Sequence, residues 1–240
     1  KKDQIAANET GKSISQGKML RPDYPKYNTF FMKRATPLML AVLAGRESVL
    51  DNLIKYGAKD NSDHCQEDIT ALMVSIVYSK IGIIKYLLGQ DRLEIEKHVN
   101  IQSEILCDST ALHLAVQYCS YDIVCQLLKK GAMGSLRLQD ADGSTPLISA
   151  VKASGEAFRS AEQDRADHGF SSYDKELVDE YLPQNQLSIV TALLAYDCDV
   201  NAADQNGDTA LIWACETGSL DVATLLLGHG ADLSLGKKIN

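Results

Sequence analysis

The sequence predicts an all-α solenoid, a stack of short helix pairs joined by turns. Three observations predict it: a recurring Thr-(Ala/Pro)-Leu tripeptide, a pair of aliphatic residues at a fixed distance after it, and glycines placed where helices should end. Recurrence at about 33 residues is the sequence signature of a repeat array. In such an array no unit buries its apolar face alone, so stacking of neighbouring units supplies the core.

The repeat period can be read from five threonines. They begin the tripeptides and are separated by 34, 40, 35 and 64 residues, so the last spacing exceeds a 33-residue period by 31. Two aliphatic residues stand seventeen and eighteen residues past each Thr, once the 31 extra residues of the fourth repeat are set aside. The threonines are Thr36, Thr70, Thr110, Thr145 and Thr209. The spacing therefore predicts five repeats, of which the fourth contains a long insertion.

Each repeat carries the local signals of two helices. The Thr is expected to be an N-cap whose hydroxyl accepts from a first-turn backbone N–H, and Pro fits the next position because its missing N–H is not needed there. Gly45 and Gly218 lie nine residues past the Thr, where a left-handed residue would end the first helix. The second helix is expected to end at Gly57, Gly131 or Gly230.

These features together resemble the ankyrin-repeat family. The stretches that carry the resemblance are DGSTPLISAV, STALHLAV and GDTALIWACETGSLDVATLLLGHGAD, and the resemblance covers about residues 32 to 235. It implies antiparallel helix pairs joined by β-turn fingers. It also implies that His113 hydrogen-bonds across the turn between repeats, whereas the other repeats have Met or Ile at this position.

Several of the helix-ending glycines are replaced. Ser79, Cys119 and Ser154 stand where the first helix should end, and Asp91 and Asp197 stand where the second should end. Because these residues adopt the left-handed conformation less readily than glycine, we expect irregular loops in the middle of the stack.

The sequence predicts two regions. Residues 1–31 match no repeat and are expected to form a non-repeat segment or cap, and residues 32–240 are expected to form the repeat domain. The stretch LSLGKKIN begins a further finger, so we expect the chain to be part of a longer protein. The predicted repeats lie near 32–65, 66–105, 106–140, 141–204 (with the insertion at 154–185) and 205–240.

Composition argues against several kinds of partner. The net charge of −8 and the pI near 5.1 disfavour binding to nucleic acid, which needs clustered Lys and Arg. No apolar run approaches the roughly 20 residues of a membrane-spanning helix, so we expect no direct membrane insertion. The six cysteines include no C-x-x-C pair, and we expect reduced thiols in an intracellular, cytoplasmic setting, with the nucleus as an alternative.

No catalytic, cofactor or metal site stands out. Residues 11–13, Gly-Lys-Ser, end like a phosphate-binding P-loop, but the first Gly of that motif falls at Ala6 and no apolar strand precedes it. The five histidines are scattered over different repeats, and no Ser/His/Asp or Cys/His arrangement is evident. We therefore expect a protein that is not an enzyme and needs no cofactor.

The resemblance implies that partners bind on the concave face of the inner helices and on the finger tips. The corresponding positions are seven and eight residues past each Thr and one residue before it. The residues expected to contact a partner there are Leu43, Val77, Tyr78, Gln117, Tyr118, Lys152 and Asp208. Tyr78 and Tyr118 stand in neighbouring repeats and suit partner binding, because amphipathic aromatic side chains are favoured anchors. An equal alternative is that they pack within the molecule, as we expect of Trp213.

The insertion in repeat four is acidic, with eight acidic and three basic residues in 155–185. Its second half predicts an amphipathic helix with Leu177, Val178, Tyr181 and Leu182 on one side. One hypothesis is that Leu177, Tyr181 and the acidic surface contact a basic partner segment; the alternative is that this stripe packs on repeats three and four. The longer finger of repeat two, with QDRLEIEKHVN, predicts a second, smaller protrusion.

Two functions follow from these observations. The first is a monomeric protein-interaction module that binds another protein or another domain of the same chain. The second is a regulatory or targeting segment of a larger enzyme or transcription-regulating protein, whose chemistry lies outside these residues.

Overall fold

Helix pairs make up the regular structure of the chain. The computed structural model describes residues 35–59, 69–118, 121–153 and 186–236. Within these ranges there is no extended strand, and β-structure is limited to isolated bridges between Ser103 and Ser109 and between Ala203 and Thr209. The predicted all-α solenoid is confirmed.

The helices alternate between an inner and an outer row. The helices α8 and α9 are given as far as the described residues reach, and α5 lies in the long finger of repeat two. The inner helices are α1 (Pro37–Ala44), α3 (Ala71–Val77), α6 (Ala111–Tyr118), α8 (146–153) and α10 (Ala210–Glu216). The others are α2 (Glu47–Lys55), α4 (Ile81–Leu88), α5 (Ile95–His98), α7 (Tyr121–Lys129), α9 (186–194) and α11 (Leu220–Gly228). Short 3-10 turns occupy Asp91–Leu93, Glu104–Leu106 and Ala132–Arg137.

The threonine of every repeat caps its inner helix. In each case Thr Oγ1 accepts a hydrogen bond from the backbone N–H three residues later, at N···O distances between 3.1 and 3.4 Å. This satisfies one of the first-turn N–H groups that a helix leaves without an internal partner. The N-cap prediction is confirmed in all five repeats.

The loops that lack glycine keep the regular geometry at two positions. Ser79 has a φ of 49° and Asp197 a φ of 56°, so both adopt the left-handed conformation that Gly45 has at 67°. The prediction of irregular loops is therefore wrong at Ser79 and Asp197. It is right at Asp91, which begins a 3-10 turn instead, and Cys119 and Ser154 lie outside the described residues.

The core is a continuous apolar cluster along the stack. The inner helices α1, α3 and α6 pack in a row, and α4 packs on α7 in the outer row. The aliphatic residue eighteen positions past Thr is almost fully buried in the first three repeats, where Ile54, Leu88 and Leu128 are at most 3% exposed. Leu227 has no following repeat among the described residues and is 42% exposed. This position is therefore buried by the next repeat, at roughly 1.5–3 kcal/mol per side chain.

The long finger of repeat two is part of the body of the stack. Leu93, Ile95 and Val99 are each only 2% exposed and belong to the core cluster. Lys130 Nζ, from the end of the next outer helix, lies 3.4 Å from Glu96 Oε1. The prediction of a second protrusion is wrong, because the aliphatic residues of this finger pack inward.

His113 joins two repeats through its ring. Because a carbonyl only accepts, Nε2–H donates to Ser144 O at 3.1 Å, which leaves Nδ1 to accept from Thr110 Oγ1 at 2.9 Å. The side chain is completely buried, and burial lowers its pKa to about 4. The predicted hydrogen bond across the turn between repeats is confirmed.

Replacing His113 with Met, the residue of repeats one and two, should flatten the dependence of stability on pH. The unfolded chain binds a proton at this ring below its ordinary pKa of 6.5, whereas the folded chain binds it only near 4. Protonation of this ring therefore does not affect the free energy of unfolding above about pH 6.5. As the pH falls from 6.5 to 4, it lowers that free energy by about 3 kcal/mol. Urea titrations at several pH values would measure how the free energy of unfolding changes with pH. An equal decrease towards low pH in H113M and in the unsubstituted protein would contradict the assignment.

Candidate functional site

The inner helices present a row of partly exposed side chains along one side of the stack. Leu43, Tyr78, Gln117 and Tyr118 are half-buried, at the positions seven and eight residues past the capping threonine in repeats one to three. We call these four the groove residues. None of them is charged, and all four stand on helices or helix ends held by the core cluster.

Two of the residues expected on this surface are buried. Val77 is 6% exposed and belongs to the core cluster, so its expected exposure is wrong. Asp208 is 2% exposed, because the finger turn folds back on itself: Asp204 N–H donates to Asp208 O at 3.0 Å, and Asp208 N–H donates to Asp204 Oδ1 at 3.1 Å. The residue before the capping Thr is therefore buried in repeats two to five, and Asp208 is not part of the open surface.

The two tyrosines of the groove combine packing with exposure. Both are half-buried and lie against the core cluster, as the alternative of intramolecular packing predicts. Burial raises the pKa of Tyr78 above its usual value, and the Oη atom of Tyr118 is shielded from solvent. Each ring is thus held in place by the fold while part of it stays accessible, which is the arrangement a binding anchor needs.

Lys152, the sixth inner-helix residue expected to contact a partner, is engaged within the chain. Its Nζ donates to Asp204 Oδ2 at 2.8 Å and to Ser144 Oγ at 2.8 Å, and it lies 4.5 Å from the centre of the Trp213 ring. Its side chain is only 20% exposed. The ammonium group is therefore neutralised by the protein itself at the junction of repeats four and five.

Asp204 is the centre of this junction and is not among the residues predicted from the sequence. Its side chain is fully buried; Oδ2 accepts from Lys152 and from Trp213 Nε1 at 3.0 Å, and Oδ1 accepts from the N–H groups of Asn206 and Asp208. Desolvation opposes its ionisation, but the hydrogen bonds from Lys152 and from the turn hold the pKa of Asp204 below its ordinary value. The recurrence of Asp at this position of the finger turn is a sequence signal that could have identified it. In the equivalent turn, Asp140 accepts from backbone N–H groups in the same way.

The fingers are joined edge to edge. Ala141 N–H donates to Cys107 O at 2.8 Å, and Gln205 N–H donates to Asp142 O at 3.0 Å. Gln205 Nε2 also donates to Ala141 O at 2.6 Å. Asp142 and Gln205 remain exposed, so the finger tips form a ridge with polar and acidic side chains beside the groove.

The described residues contain few features suited to a small ligand. No group of three or more His, Cys, Asp or Glu side chains within them is arranged to hold a metal ion. A cavity of about 620 Å³ lies beside the fingers of repeats four and five, with Arg137, Asp197, Asp199 and His229 in its lining. In the described part of the chain no helix is long and apolar enough to cross a bilayer.

Two further residues that are expected to contact a partner lie in the insertion. Leu177 and Tyr181 lie in 154–185, outside the described residues, so the hypothesis of a partner site on the insertion stays a prediction.

Comparison with known proteins agrees with the helix-pair geometry. The family model for "Ankyrin repeats (3 copies)" matches residues 5–100 and 182–237, and the model for "Ankyrin repeat" matches residues 107–140. The chain belongs to the ankyrin-repeat family. Ankyrin repeats in general mediate protein–protein interactions, and their presence indicates that this chain is a protein-interaction module.

The ankyrin repeats of this chain are similar to parts of much longer proteins. It is 29% identical to neurogenic locus notch homolog protein 1 of Xenopus laevis over 204 residues, which is 82% of this chain and 7% of that protein. It is 34% identical to the Danio rerio protein of that name over 133 residues, or 52% of this chain and 5% of that protein. The human protein of that name is 34% identical over 134 residues, or 51% of this chain and 5% of that protein.

Substitutions at the same position of repeats two and three, seven residues past the capping Thr, should distinguish a buried side chain from an accessible one. Val77→Ala should lower the free energy of unfolding by about 2 kcal/mol, because it leaves a cavity in the core. Gln117→Ala should change it by less than about 0.5 kcal/mol. Urea denaturation followed by circular dichroism measures both, and equal effects would contradict the placement of these side chains.

Proposed function

We propose that this chain is a non-catalytic interaction module that binds another protein, or another domain of its own chain, through the groove residues. The observation that carries the proposal is the row Leu43, Tyr78, Gln117 and Tyr118, which is uncharged, partly exposed and fixed on a rigid scaffold. A preorganised surface loses little entropy on binding, and buried aromatic anchors supply most of the affinity in many interfaces. An apolar partner segment fits this part of the groove.

The fingers and the insertion extend the proposed surface. Glu104 and Asp142 are exposed on the finger turns that precede Thr110 and Thr145, so basic side chains of a partner would complement this ridge. The insertion, with Leu177 and Tyr181 and its excess of acidic residues, is proposed as a further contact for a basic segment.

The setting we propose is an intracellular one, in the cytoplasm or the nucleus, with the protein acting as a monomer. The four cysteines in the described residues are free thiols, and two of them, Cys107 and Cys215, are exposed. Exposed free thiols suit a reducing compartment. The net charge of −8 disfavours a nucleic-acid partner.

A second candidate function is a regulatory or targeting segment of a larger enzyme or transcription-regulating protein. It is supported by the relatives named above, of whose length the chain spans only 5% to 7%. In this case the groove would bind another domain of the same polypeptide.

The test is capture of a partner from native extract, followed by measurement of Kd with the purified protein identified there. Tyr78→Ala and Tyr118→Ala should each weaken binding roughly tenfold or more, as loss of an anchor does. Tyr56→Ala is the matched control, because Tyr56 is 88% exposed on an outer helix end away from the inner row, and it should leave Kd unchanged. Circular dichroism verifies that each variant is folded.

Replacement of residues 156–184 by a short Gly-Ser linker separates the two proposed contact surfaces. If only this replacement abolishes binding, recognition belongs to the insertion and the groove assignment is wrong. If no protein is captured by the chain, the second candidate function is favoured.

A further inference from the structure

Lys152, Asp204 and Trp213 form a cluster around one buried carboxylate between repeats four and five. Its members come from both sides of the insertion: Lys152 precedes residues 154–185 in the chain, and the other two follow them. Asp204 Oδ2 receives both Lys152 Nζ at 2.8 Å and Trp213 Nε1 at 3.0 Å. One carboxylate oxygen therefore connects an inner helix, a finger and the next inner helix.

We propose that Lys152, Asp204 and Trp213 form a clamp that couples repeat five to repeat four and keeps the stack closed on both sides of the insertion. The carboxylate is completely buried, and the Lys152 side chain is 20% exposed. A buried charge that loses its partner is strongly destabilising, so the three side chains depend on one another. The ammonium group over the indole ring adds a cation–π attraction, which is strongest at tryptophan.

Other contacts across the insertion point agree with closure at this place. Gln186, the first described residue after the insertion, donates from Nε2 to Ala150 O and Val151 O, both at 3.2 Å. Gln139 Nε2, before the insertion, donates to Ala203 O at 2.9 Å. These bonds hold the segments that precede and follow the insertion against each other, and none of them involves a residue within it.

The test uses the single tryptophan of the chain, which lies in the clamp itself. In urea, Trp213 fluorescence reports the junction of repeats four and five, whereas far-UV circular dichroism reports the whole stack. We expect the two transitions to coincide in the unsubstituted protein. In Lys152→Met the fluorescence transition should move to lower urea by roughly 1 M or more, ahead of the circular dichroism transition.

Lys85→Met is the matched control for loss of a lysine ion pair. Lys85 Nζ lies 2.6 Å from Asp122 Oδ2 on the outer helices, but both side chains are about half exposed, at 50% and 55%. Exposed pairs contribute little to stability, so this variant should leave both transitions nearly unchanged. An equal effect of the two Lys→Met substitutions would overturn the clamp.

Two further variants keep the proposal testable if Lys152→Met fails to fold. Lys152→Met combined with Asp204→Asn should fold and be more stable than Lys152→Met alone, because the second substitution removes the carboxylate charge that the first leaves unpaired. A double variant that is no more stable than Lys152→Met would overturn the proposal. Replacement of 156–184 by a Gly-Ser linker should leave the Trp213 transition in place; a shift as large as that of Lys152→Met would show that closure depends on the insertion.

Discussion

The burial of each helix pair against the next is the constraint on which the rest of this structure depends. An eight-residue amphipathic helix is too short to be stable alone in water, and two such helices still leave one apolar face uncovered. The aliphatic residues at the end of the outer helices, such as Ile54, Leu88 and Leu128, are buried where a described repeat follows, whereas Leu227 at the same position is 42% exposed. The polar features at the junctions follow from this, because a hydrogen-bonding group inside such an interface must find a partner there. The ring of His113 and the carboxylate of Asp204 are two solutions of the same requirement.

The distribution of charge along the inner helices divides the groove into two parts. In repeats one to three the groove residues are neutral and partly open. In repeats four and five, Lys152 is turned into a contact with Asp204 and Trp213, so its charge is compensated internally. The groove proposed as the binding surface therefore has apolar and aromatic side chains at one end and an internally compensated charge at the other. In the proposed binding mode, the exposed carboxylates of the fingers would act on the rate and orientation of association more than on its strength.

The parts of this fold that were predicted from sequence are those set by residues close together in the chain. A threonine cap spans three residues, and a helix pair with its turns repeats about every 33, so both leave a direct record in the pattern. The errors concern contacts between repeats. Val77 was expected on the open face, yet the side chain belongs to the core shared with neighbouring helices. Asp204 and Lys152 are 52 residues apart, and nothing local indicates that one neutralises the other. The intrinsic preference of serine predicts an irregular loop at Ser79, whereas in the folded stack Ser79 keeps the left-handed conformation of a helix-ending glycine.

Ser79 and Asp197 also bear on how such chains diverge. A left-handed backbone costs an ordinary residue roughly 1 kcal/mol more than glycine, and at both positions the stack still imposes that conformation. Because stability is spread over several junctions, no single turn has to be optimal for its repeat to form. Glycine is thus preferred at these turns but not required. Other residues are tolerated there more readily when neighbouring repeats supply additional stability. A repeat in the interior of an array can therefore accumulate turn substitutions that would unfold a terminal repeat. The sequence of such an interior repeat departs from the family pattern sooner than its backbone conformation does.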